Sequence, residues 1–289
     1  MTHEEVTGEK RSSERPASPL PCRIGAVSYL NTKPLVHGLP VRSASWQLEL
    51  DLPSRLATRL AAGDLDVALI PSISFWQDPS YRIVSDACIA CRGPVRSVKL
   101  VARTPLEQIK TLAVDEGSCT SGTLARILLR EKLGLEPELV PFPIDVDLHE
   151  VAADAVVVIG DRAMHVEGAP FVRTWDLGDV WNRRFGLPFV FAVWVARPDI
   201  DIEPVRRRLE QARDEGVRKI ESIAQAEAPK LGWTVDDGVQ YLRDHLHFTL
   251  GPKELAGMEL FYRHAVRWGL APDGWESSAV AASLENACE

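Results

Sequence analysis

A two-lobed α/β fold is predicted by three patterns in this 289-residue chain. Short apolar runs alternate with stretches of helical spacing, as expected when strands feed helices in open sheets. Two of those strands run into hydroxyl-rich turns, at Ser28–Thr32 and Ser118–Thr123. From about residue 198 onward the pattern changes and reads as mostly helical.

The elements follow in order. Ile24, Ala26 and Val27 make a short buried strand, and Pro34 suits the first turn of a helix after SYLNT. Leu56 and Leu60 between Pro53 and Gly63 describe a short helix with a glycine stop. LDVALIP is a strand ending at Pro71, and YRIVSDACIA and SVKLVAR are strand-like. Pro105 to Lys110 reads as one helical turn, followed by the strand TLAVD. Leu124, Ile127, Leu128 and Leu133 place an amphipathic helix after GSCTSGT. ELVPF, AVVVIG, FVRTW and VFAVWVAR continue the strands, in sheets expected to be largely parallel. Val205, Leu209, Ala212, Ile220 and Ile223 share one helix, with further helices at Val235 to His245 and Lys253 to Trp268.

This layout divides into a first lobe of residues 22–102 and 198–289 and a second of 103–197. The crossings, near 98–104 and 193–198, form a hinge with a ligand cleft between the lobes. Residues 1–21, polar and proline-bearing, read as a disordered leader without the apolar core of a secretory signal. No stretch reaches the roughly 18 to 20 apolar residues that span a bilayer, so a cytoplasmic location is expected.

Composition narrows the function classes. Apolar residues make up 45% and charged residues 26%, and 33 basic against 41 acidic side chains give a net charge of −8. That balance argues against nucleic acid or an anionic membrane as partner. A small anion remains compatible, because a few local donors override a net charge. Five cysteines without a signal fit reduced thiols, and the lone Cys88/Cys91 pair lacks the second pair of a zinc site. His245 and His247 would not share a helix face, and neither HExxH nor GxSxG is present.

Five constellations carry candidate chemistry. Ser28, Tyr29, Asn31 and Thr32 lie at a strand's carboxyl end, beside helix N–H groups that favour an anion. Ser118, Thr120, Ser121, Gly122 and Thr123 repeat that arrangement without the Lys-Ser/Thr ending of a P-loop. Asp161, after the strand AVVVI, is either a general base or the N-cap of the next helix, and Arg162 either pairs a substrate carboxylate or lies on the surface. Ser97 lies where a strand would cross between lobes, as a cleft hydroxyl or a plain strand serine. Phe185, Gly186 and Pro188 either line the cleft or belong to the core.

In this order SYLNTKPL, LDVALIPS, RGPVRSVKL, GSCTSGT, IGDRA and LGDVWNRRFGLPFVFAVW resemble the chorismate dehydratases of the futalosine route to menaquinone, over about Arg23 to Trp268. The resemblance implies a fold like type II periplasmic binding proteins and loss of water from chorismate to give 3-[(1-carboxyvinyl)oxy]benzoate. It implies a dianionic small-molecule substrate. The missing metal and nucleotide motifs predict an enzyme that needs neither a metal nor a nucleotide cofactor, and a homodimer stays open. Carried over by motif, Asn31 and Ser97 are the leading catalytic positions, and the Ser118–Thr123 turn grips a carboxylate. The base is either a carboxylate of the substrate itself, with Asn31 fixing its geometry, or Asp161 as the fallback. The alternatives are 1,4-dihydroxy-6-naphthoate synthase of the same pathway and a non-catalytic solute-binding protein.

Overall fold

Residues 21–166, 170–198 and 200–275 are described by a computed structural model. The expected leader, apart from Pro21, lies outside the described residues. The first half of the chain comprises β1 (Cys22–Val27), a 3-10 helix (Leu30–Val36), β2 (Trp46–Asp51), α1 (Pro53–Ala62), β3 (Val67–Pro71), α2 (Ser72–Phe75), β4 (Arg82–Cys91), β5 (Val98–Ala102), β6 (Thr111–Asp115) and α3 (Cys119–Leu133). It continues with β7 (Glu138–Phe142), β8 (Ala155–Ile159), a 3-10 helix (Gly160–His165), β9 (Arg173–Asp176), α4 (Leu177–Phe185) and β10 (Phe189–Ala196). Then come α5 (Glu203–Arg218), α6 (Ile220–Glu227), α7 (Val235–Gln240), a π turn (Tyr241–His245), β11 (His247–Thr249) and α8 (Pro252–Arg267).

The uninterrupted apolar runs become the strands covered on both faces. Every residue of β3, β8 and β10 is buried, as such runs require. Among the described residues the strands form two sheets, ordered β11-β4-β10-β3-β1-β2 and β7-β6-β8-β5-β9. Both are mixed rather than largely parallel. In the first, β1 runs parallel to β2 and β3, but β10 lies antiparallel between β3 and β4. In the second, β6 runs parallel to β7 and β8, while β5 is antiparallel to β8 and β9. A strand that returns from the other lobe has no crossover helix on its own sheet to turn it parallel.

Sheet membership also moves the expected lobe boundaries. β5 belongs to the second sheet and β10 to the first. The chain therefore crosses at 92–97 and 177–188, not at 98–104 and 193–198. The runs on either side of each crossing are equally apolar, so periodicity does not mark which sheet a strand joins.

Local signals otherwise act as their chemistry dictates. α1 starts at Pro53 and stops at left-handed Gly63, whose N–H bonds back to Arg59 and Leu60. The helix expected over Val205–Ile223 breaks at Lys219 (φ −112°, ψ 23°) into α5 and α6. The strands β2 and β11 and the helices α2 and α4 add to the elements expected from sequence. Cys88 and Cys91 are both buried in β4, where residues three apart point to opposite faces. Burial pushes both thiols up, that of Cys91 to about 12. Among the described residues no helix is long and apolar enough to cross a membrane.

Candidate active site

Between the two sheets lies a recess of about 500 Å³, counting its open mouth. Tyr29, Asn31 and Phe191 line it from the first lobe, and Ser97, Ser118, Thr120 and Ser121 from the second side. Apolar Val27, Ile89, Val98 and Ile159 complete the wall. Among the described residues no lysine, arginine or histidine lines it.

The anion-favouring end is built by the turn from β6 into α3. The Asp115 carboxylate accepts the Gly117 N–H at 2.9 Å, and Ser118 N–H bonds to the Asp115 carbonyl at 2.8 Å. This tight turn aims the start of α3 at the recess. Gly122 N–H is the first to bond back, to the Ser118 carbonyl at 3.2 Å, so the N–H groups of Cys119, Thr120 and Ser121 precede the intrahelical ladder. Ser118 Oγ and Tyr29 Oη are buried there without a hydrogen-bond partner. Buried polar atoms left open in this way mark a place for a ligand. The Tyr29 ring packs on Gly160, where φ is +64° and a Cβ would lie 2.8 Å from the ring.

Ser97 sits in a strained turn. Arg96, with φ of +64°, is the one non-glycine residue in the left-handed region among the described residues. Ser97 N–H closes the turn on the Val95 carbonyl at 2.8 Å. Asp176 pins it: its carboxylate accepts from Val95 N–H at 3.0 Å and Arg96 N–H at 2.6 Å, and also caps α4 through Asp179 N–H at 3.1 Å. Ser97 itself is buried, and its Oγ accepts a hydrogen bond from Tyr241 Oη at 2.7 Å. The Asn31 side chain lies beside the same tyrosine oxygen. Asn31 Oδ1 accepts from Thr32 Oγ1 at 3.3 Å.

Of the expected site residues, Tyr29, Asn31, Ser97, Ser118, Thr120 and Ser121 share the recess, and five do not line it. Ser28 is exposed, its N–H spent on the Asp51 carbonyl. Thr32 is buried behind Asn31. Gly122 is a packing glycine, since a Cβ would meet Val114 at 2.7 Å. Thr123 Oγ1 turns back to the Cys119 carbonyl at 3.0 Å, one helical turn away. Asp161 Oδ1 accepts the Leu30 N–H at 3.2 Å, so it holds the start of the Leu30–Val36 helix rather than its own. Burial pushes that carboxyl up to about 6.

Other candidates resolve into structure. Arg162 donates to the Ile144 and Val146 carbonyls, lies over the Phe142 ring and pairs with Asp115 at 3.6 Å. Phe185 packs on Trp181 and His264, Gly186 ends α4 in the left-handed region, and the Pro188 carbonyl accepts from Trp181 Nε1. Sequence reasoning missed Asp176, Tyr241 and Phe191. Asp176, just before LGDVW, had a legible N-cap signature; Tyr241 had none, being 144 residues from its partner.

Comparison with known proteins agrees with this architecture. The solved structure of protein AF1704 from Archaeoglobus fulgidus superposes with a TM-score of 0.70 at 18% identity, over 87% of this chain and 99% of that one. The periplasmic aliphatic sulphonate binding protein SsuA from Escherichia coli gives 0.61 at 16% identity, over 91% and 92%. These likenesses fix the fold as periplasmic-binding-protein-like. A curated chorismate dehydratase from Thermus thermophilus is 30% identical over 230 residues, 73% of this chain and 83% of the relative. A family model described as "Menaquinone biosynthesis" matches residues 22–267. With that match spanning both sheets and every residue of the recess, the chain belongs to the menaquinone biosynthesis family.

Proposed function

We propose that this protein is a chorismate dehydratase, a hydro-lyase that releases water from chorismate to give 3-[(1-carboxyvinyl)oxy]benzoate in the cytoplasm. The observation that carries the reading is one recess that brings the Ser118–Ser121 helix start together with Asn31 and Ser97, in a chain 30% identical to a chorismate dehydratase. In the reaction the electron pair of a ring C–H bond becomes the last ring double bond as the neighbouring C–OH bond breaks. The proton and hydroxide leave as water. Aromaticity supplies the driving force, so the protein has to orient, exclude water and stabilise developing charge.

Each part of the recess suits one of those tasks. The α3 N-terminus, with the Ser118 and Ser121 hydroxyls, receives a carboxylate. Apolar Val27, Ile89, Val98, Ile159 and Phe191 hold the ring away from water. Asn31 and Ser97 act at the reacting centre, Asn31 orienting the groups and Ser97 offering a hydroxyl to the departing oxygen. A carboxylate of the substrate takes the ring proton. That assignment is favoured over Asp161 because Asp161 is already engaged with Leu30 N–H and does not line the recess.

Incubating purified protein with chorismate and following the aromatic product by chromatography tests the reading. Stoichiometric conversion is expected. Tight binding of chorismate without conversion would point to a solute-binding protein, and neither binding nor conversion would remove chorismate as the ligand.

A further inference from the structure

The Tyr241 hydroxyl sits behind the recess, not in it. The residue is fully buried, and its ring meets Trp233 edge-on at 5.6 Å between centroids. It opens the π turn Tyr241–His245, a widened helical geometry that is rare and concentrated at functional sites. Arg96, the strained residue beside Ser97, reaches the same segment: its Nη1 donates to Gln240 Oε1 at 3.0 Å. The Ser97 turn and the π turn are therefore fastened together by both a backbone neighbour and the tyrosine itself.

Burial and the nearby Asp161 charge push the Tyr241 phenol up, so it stays a neutral donor. A serine hydroxyl has one hydrogen and two lone pairs. With Tyr241 donating into one lone pair, the hydrogen of Ser97 is turned away from the tyrosine. The recess is the side of Ser97 that a ligand can reach. Asn31 lies beside the same tyrosine oxygen, with its Oδ1 accepting from Thr32 Oγ1.

We propose that Tyr241 is a positioning residue, whose hydroxyl 2.7 Å from Ser97 Oγ holds Ser97 and Asn31 as one unit and turns the Ser97 hydrogen toward the substrate. The role rests on the dehydratase reading above only for its kinetic consequence. Tyr241→Phe removes one oxygen from a buried ring and keeps its shape. With chorismate, kcat is expected to fall about 10- to 100-fold with KM nearly unchanged, the size of effect that small misplacement produces.

Since the tyrosine acts through Ser97 and Asn31 together, the loss in the Tyr241→Phe/Ser97→Ala double variant should fall clearly short of the product of the two single losses. Multiplying losses in the double variant, a wild-type kcat in Tyr241→Phe, or a rise in KM alone would each overturn the proposal. If the wild-type protein leaves chorismate intact, the dehydratase reading fails, and a crystal structure of Tyr241→Phe decides the positioning role by itself. A reoriented Ser97 side chain or Asn31 amide supports it, and unchanged rotamers for both refute it.

Discussion

Asn31 is flanked on two sides, by Thr32 Oγ1, which donates to its carbonyl oxygen, and by the nearby Tyr241 hydroxyl. A side chain fixed in this way contributes mainly where geometry matters, at the reacting bonds. Asn31→Ala is expected to lower kcat by at least about 100-fold while KM moves little, read from steady-state kinetics with chorismate. Ser118 is the opposite case. Its buried hydroxyl has no protein partner, so its hydrogen bond is made only when an anion arrives. Ser118→Ala should therefore raise KM or Kd by roughly 1–3 kcal/mol of binding free energy, with kcat nearly kept. Thr123→Ala, four residues past the first residue of α3, should leave both constants unchanged, because its hydroxyl serves the Cys119 carbonyl. Isothermal titration with chorismate or the aromatic product separates the two hydroxyls. An equal loss of affinity in both would mean that the helix start, rather than Ser118, supplies the contact.

At the scale of elements, two packing devices place the turns that line the recess. Asp176 accepts from three backbone N–H groups and holds Arg96 in its left-handed conformation. Removing it in Asp176→Ala leaves those donors unpaired and frees the turn; about 2–4 kcal/mol of stability should be lost, with a drop in kcat, measured by denaturant melts and kinetics. Gly216 in α5 lets that helix touch the Leu30–Val36 helix backbone to backbone, for a Cβ would lie 2.0 Å from the Pro34 carbonyl oxygen. Alanine favours a helix over glycine by about 1 kcal/mol, but overpacking against backbone costs about 1–3 kcal/mol. Gly216→Ala should consequently melt lower and also slow turnover, since the displaced helix carries Asn31. Apart from β2 and β11, the strands and the two hydroxyl-rich turns were legible in sequence because apolar runs and small polar residues at a helix start have local causes. Sheet membership of β5 and β10 was not, because a partner strand far along the chain decides it. Asp161, Thr123 and Gly122 look like site residues in a one-dimensional pattern, yet helix phase and contacts across the lobes turn each elsewhere.

Over the whole molecule, the lobes are joined by bonds as well as by the two crossings. Leu30 N–H reaches Asp161, and Ile73 N–H reaches Thr120 Oγ1 at 3.3 Å. Burial raises the Asp161 carboxyl to about 6 from an ordinary 3.8, so the folded chain binds this proton more tightly than the unfolded chain does. The resulting stabilisation is fully present below the unfolded value, and stability falls as pH climbs through about 4 to about 6, by on the order of 2–3 kcal/mol. Asp161→Asn keeps an oxygen for Leu30 N–H without the buried charge. It should melt above the wild type at pH 8, with the gap closing toward pH 4; an identical pH profile in the two proteins would mean that Asp161 ionises freely. The recess takes its anion-favouring character from backbone dipoles and hydroxyls, with no cationic side chain on its wall among the described residues. Such dipoles act over a few ångströms, whereas the net charge of −8 acts over tens. A dianion thus meets repulsion on approach and attraction only on arrival. Added salt shortens the range of that repulsion, to about 10 Å at 0.1 M, and so ought to speed capture: this protein's second-order rate should climb with ionic strength, the reverse of enzymes that draw their anions in through the solvent.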